Sequence, residues 1–90
     1  MHESGMVKGL LRATLETAER EGGRVKAVGV RLGALAGISA EHLREHWDEA
    51  LRGTAAEGAA LVVVQGDDPA CEHALDVLLD WVEVTQVGQA

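Results

Sequence analysis

Residues 24–35 read RVKAVGVRLGAL. Within this stretch Val28, Val30 and Leu32 point one way and Gly29 and Arg31 the other, the period-two pattern of a strand with one apolar and one wet face. Such a strand needs cover on one side only, and its flanking segments can supply it. Upstream, Met6, Val7, Leu10, Leu11, Leu15 and Ala18 recur at helical spacing, with Glu16, Glu19, Arg20 and Glu21 on the opposite side. Ser4 reads as the N-cap of that helix, and Gly22-Gly23 as its stop.

Downstream, Gly33 and Gly37 bracket a turn. A second helix opens at Ser39 as N-cap, with Glu41 in the first turn and a buried stripe of Leu43, Trp47, Ala50 and Leu51, and ends at Arg52-Gly53. Residues 59–65 form a short β-branched strand, expected to be covered on both faces. GDDPA, residues 66–70, carries the only proline and reads as loop. In the tail, Leu75, Leu78, Leu79 and Val82 suit a helix, but DWVEVTQV is strand-like, and a strand over Val77 to Val84 is favoured. The expected fold class is α+β: two helices packed on one face of a small three-stranded sheet, in the order α-β-α-β-β, as a single domain over residues 1–90.

The composition fits a thin two-layer packing. The chain has 90 residues and is 47% hydrophobic, with no Phe or Tyr and only two Trp, at 47 and 81. That core of Ala, Val and Leu is poorly suited to enclosing an organic ligand. A net charge of −7 without clustered Lys or Arg argues against nucleic acid and is compatible with cations or a basic partner. The single cysteine, Cys71, excludes an internal disulfide and a Cys₄ zinc site within one chain. No apolar run approaches membrane-spanning length and no leader is recognisable, so no membrane partner and a cytoplasmic location are expected.

Three stretches offer chemistry. HLREH, His42 to His46, sets two histidines at i and i+4 with Glu45 between them, the H-x-x-E-H pattern of inverted zinc peptidases. That chemistry needs a third ligand and a cleft, for which so short a chain leaves little room, and the bland reading is two histidines on the wet side of an amphipathic helix. Cys71-Glu72-His73 places a thiol two residues from an imidazole, with no group evident to orient a base and no second cysteine at metal spacing, so a bystander thiol is the plainer reading.

The third is MHE, residues 1–3. An α-amine titrates near about 7.7–8.0, far below lysine, and can ligate at neutral pH. The His2 amide nitrogen closes a five-membered ring with it, and the His2 imidazole closes a six-membered ring through Nδ1. Three nitrogens in a plane suit Ni(II) or Cu(II) better than Zn(II) or Mg(II). The Glu3 amide or carboxylate is a candidate fourth ligand, and the bulk of His2 should hinder removal of Met1. On chemistry alone, the competing reading is two exposed residues ahead of a helix.

MHE followed by an amphipathic helix, then RVKAVGVRLGALAGISAEHL, GTAAEGAALVVV and a closing DWVEV, resembles the HypA/HybF family, the nickel metallochaperones of [NiFe]-hydrogenase maturation, which in some organisms also serve urease. The resemblance spans nearly the whole chain in order. It implies a non-enzymatic carrier that binds Ni(II) through Met1, His2 and Glu3, with His2 the essential side chain. The implied partner is a nickel-handling GTPase of the maturation pathway or the hydrogenase large subunit, and a homodimer is compatible.

Departures from the family accompany the resemblance. Two Cys-x-x-Cys pairs that form a zinc knuckle in HypA members are reduced here to a short loop, residues 66–74, with Cys71 its only thiol, so no structural zinc is expected. Ser4-Gly5 stands where a bulky apolar residue and Ser are usual, and Ala34 where an acid is common. Flexible Gly5 is expected to loosen the coupling of the nickel segment to the helix. These departures motivate an alternative: an interaction or accessory module that has kept the fold and lost metal delivery. No G-x-x-x-x-G-K-[ST] nucleotide motif is present.

Overall fold

The computed structural model describes residues 3–86. Its elements are α1 (Glu3–Glu21), β1 (Gly23–Leu32), α2 (Ala40–Leu51), β2 (Ala60–Gln65) and β3 (Val77–Gln86). The order α-β-α-β-β and the single three-stranded sheet agree with the expectation from sequence. The strands lie in the order β2-β1-β3, with β1 parallel to β2 and antiparallel to β3. A parallel pair requires a crossover, and α2 with its flanking turns provides it.

α1 begins earlier than the sequence suggests. Ser4 lies inside the helix rather than capping it, and Gly5 and Gly9 are both helical. A mid-helix glycine costs about 1 kcal/mol relative to alanine. Packing offsets that cost, because Val7, Leu10, Thr14 and Ala18, spaced by three and four residues, are all buried. Thr14 is the one buried polar residue of that stripe, and its hydroxyl donates to the Leu10 carbonyl at 2.8 Å, so its burial leaves no donor unpaired. Gly22, at φ 67°, ends the helix.

The core forms where α1 and α2 meet one face of β1. Val25, Val28 and Val30 join Leu43, Trp47 and Leu51 of α2 there. Val25 and Val28 are three apart yet share the buried face, because the register against β3 shifts between Val25 and Ala27 and leaves Lys26 as an extra residue. Burying a large apolar side chain stabilises by about 1.5–3 kcal/mol. Leu43, Trp47 and Leu51, each at most 2% exposed, are therefore enough to dock the twelve-residue α2. Ser39 caps α2 as expected, its side chain accepting from the His42 amide at 3.1 Å.

A second expectation is corrected. β2 is an edge strand covered on one face only: Leu61 is buried, whereas Val62 and Val64 are 45% and 52% exposed. The reason is the layer count, since both helices occupy the same side of the sheet. On the uncovered side, the Trp81 indole packs over Gly29. The segment between β2 and β3 is tied down rather than loose. Leu35 N–H donates to the Ala74 carbonyl at 2.7 Å, and Gly33 N–H to the Asp76 carbonyl at 2.9 Å. Among the described residues, no helix is long and apolar enough to cross a membrane.

Candidate metal centre

Of the residues singled out for nickel, only Glu3 falls among the described residues. Met1 and His2 lie outside the described residues, and Glu3 is the first residue of the helix. The first four N–H groups of an α-helix have no partner within it. The Glu3 amide nitrogen therefore has no place in the hydrogen-bond ladder of α1.

HLREH lies on α2 as the helical period requires. Leu43 and Trp47 are buried, His42 and Glu45 are exposed, and His46 is half-buried. The two imidazole centroids are 5.3 Å apart with their planes 35° from parallel. Among the described residues, no group of three or more His, Cys, Asp or Glu side chains is placed to hold a metal ion. The three-ligand site of an inverted zinc peptidase is thus not assembled by these residues.

Cys71, Glu72 and His73 occupy the turns between β2 and β3. Cys71 is a free, exposed thiol. The His73 ring is engaged locally, with Nδ1 2.9 Å from Asp76 Oδ2 and Nε2 3.9 Å from Glu72 Oε1. Cys71, His73 and Asp76 border a cleft of about 140 Å³ with Arg31 and Leu78, but the described side chains do not form a metal cluster there.

Two features escaped the sequence. The Arg44 guanidinium donates to the Leu61 carbonyl, reaching from α2 to edge strand β2. His46 lines a cleft of about 160 Å³ between the helices, with Val7, Lys8, Glu49 and Ala50. The available signal for the second was position, since His46 precedes buried Trp47 and stands one turn before Ala50 at the margin of the apolar stripe.

Two helices packed on one face of a small mixed three-stranded sheet define a small α+β domain. The family described as "Hydrogenase/urease nickel incorporation, metallochaperone, hypA" matches residues 1–74. The chain belongs to this HypA family. A hydrogenase maturation factor HypA from Xanthobacter autotrophicus is 42% identical over 71 residues, 78% of this chain and 63% of that protein's length. Its counterpart from Chlorobaculum tepidum is 32% identical over 94 residues, 99% of this chain and 83% of its own length. The solution structure of the Ni metallochaperone HypA from Helicobacter pylori superposes with a TM-score of 0.78, covering 96% of this chain and 99% of that one. At 16% identity, this likeness speaks to the fold.

Proposed function

We propose that this protein is a nickel carrier, binding Ni(II) at Met1, His2 and Glu3 and passing it on during maturation of a [NiFe]-hydrogenase. The observation that carries the reading is the family match, which covers residues 1–74 and includes MHE. The proposed ligands are the Met1 amine, the His2 amide and imidazole, and a nitrogen or oxygen of Glu3.

Backbone availability favours the Glu3 amide over its carboxylate. The head of a helix carries roughly half a positive charge and repels a bare dication. A neutral amine, a neutral imidazole and two ionised amides leave Ni(II) with no net charge. A carboxylate in place of the second amide nitrogen would also neutralise the ion, but the amide is a backbone group the helix leaves free.

The rest of the reading follows from this role. The carrier performs no catalysis, works in the cytoplasm, and hands its ion to a nickel-handling GTPase or to the hydrogenase large subunit. On the family resemblance, the 66–74 segment replaces a zinc knuckle, and its single cysteine does not supply a Cys₄ site. Complementation tests the function. In a bacterial strain lacking its own HypA and grown on limiting nickel, the parent chain should restore hydrogenase activity and His2→Ala should not. Equal rescue by both, or by neither when both are expressed and folded, would overturn the proposal.

A further inference from the structure

We propose that His42 and His46 form a second metal site, a two-imidazole clamp on α2 for a divalent transition-metal ion such as Ni(II) or Zn(II). The proposal stands on α2 alone and does not depend on the Met1–His2–Glu3 chelate. Its first support is geometric. With a metal–nitrogen bond of about 2.0–2.1 Å, two imidazoles on one ion have ring centroids about 4.5 Å apart at a right angle and about 5.2 Å apart at the tetrahedral angle. The observed separation is 5.3 Å. The rings therefore already stand at clamp spacing, the i,i+4 arrangement that helical histidines use in zinc sites of the H-E-x-x-H type.

Availability and charge agree. Among the described residues, neither ring is held in a hydrogen bond or ion pair, whereas the His73 ring is held by Asp76. Glu41, Glu45, Asp48 and Glu49 share α2 with the pair, and its only cationic side chain, Arg44, is turned toward the Leu61 carbonyl of β2. The local field around the rings thus favours a cation. On the facing element, Lys8 of α1 lines the cleft beside His46.

Position gives the clamp a use. His46 faces Val7 across that cleft, and Val7 lies about one helical turn beyond Glu3, the head of α1. The His46 end of the clamp thus borders the α1 residue that follows Glu3 by one turn. Two imidazoles with water completing the shell hold an ion less firmly than a multidentate chelate, which suits a site that loads and unloads.

The test uses the full chain with its native Met1, titrated with Ni(II) alone by calorimetry and with Zn(II) alone while the imidazole resonances are followed by NMR. His42→Gln, His46→Gln and His2→Ala are run beside the parent, with circular dichroism to verify the fold. The parent should take two equivalents of Ni(II), and either glutamine variant one. Zn(II) should shift the His42 and His46 ring signals together. Unchanged stoichiometry in both glutamine variants, or a parent that binds only one equivalent and loses it with His2→Ala, would overturn the clamp. His42 is exposed, so His42→Gln keeps the test decisive even if His46→Gln perturbs packing. Loss of one equivalent with the glutamine variants but none with His2→Ala would sustain the clamp and contradict the N-terminal nickel site instead.

Discussion

Trp81 on β3 lies directly over Gly29 on β1, its indole occupying the space that a Cβ at position 29 would need. The two are cross-strand partners, and the glycine lets the aromatic ring lie against the backbone on the face of the sheet that no helix covers. Next to them the β1–β3 register shifts between Gly29 and Val30, leaving Asp80 as the extra residue, and its carboxylate accepts from Arg31 Nε at 3.3 Å.

Gly29→Ala should therefore expel the indole rather than unfold the sheet. Trp81 is already 41% exposed and can swing into water, so the expected cost is small, about 1 kcal/mol. Tryptophan emission should shift to the red, since the other tryptophan, Trp47, is fully buried and reports no change. An unchanged emission spectrum would mean that the ring does not rest on Gly29.

Gly33→Ala should be more damaging. A Cβ there would run into the carbonyl oxygens of His73 and Ala74, which are backbone and cannot rotate away. The same segment is tied to residues 33–35 by the Gly33–Asp76 and Leu35–Ala74 hydrogen bonds. The expected loss is about 2–3 kcal/mol, within the range for such steric substitutions. Urea denaturation gives the value, and a loss equal to or below that of Gly29→Ala would show that the β2–β3 connection gives way freely.

Trp47 offers a third comparison. It is fully buried, and its indole N–H has no partner among the described residues. Trp47→Ala should cost about 3–5 kcal/mol through the cavity it leaves. Trp47→Phe should cost much less, because it keeps most of the ring and removes a donor whose burial unpaired costs about 1–3 kcal/mol. Thermal melts of the two variants side by side check the order.

Much of this fold was legible because one strand set the layering. The alternation through Val28, Val30 and Leu32 required cover on a single face, and helical stripes ending in Ala18 and Leu51 were there to supply it. The start of α1 was not legible, because Ser4 is a strong capping residue by local chemistry and only tertiary packing of Val7 and Leu10 carries the helix back to Glu3. The exposure of Val62 and Val64 was hidden too: a β-branched run reads alike whether a strand is central or at an edge, and pairing order is a long-range property. For the site, the residues MHE carried the nickel reading through their chelating chemistry and family resemblance. The cleft beside His46 depends on how α1 crosses α2, which periodicity within either helix does not encode.

Nickel binding at the N-terminal chelate should weaken as pH falls. The amine and imidazole ligate only when unprotonated, so protons compete with the ion at the amine below about 8 and at the imidazole below about 6.5. Ionised amides add further protons to be displaced, and the apparent affinity should drop at least about tenfold per pH unit. Titrations at pH 7.5, 6.5 and 5.5 measure the slope. A flat profile would exclude imidazole and amine as ligands.

The most direct test of the central claim is a Ni(II) titration at pH 7.5 of protein with a native, untagged Met1, beside His2→Ala. The account predicts stoichiometric binding at the N-terminal site that the substitution abolishes, with the circular dichroism of the domain unchanged. Nickel binding of equal affinity and stoichiometry in parent and variant would contradict it.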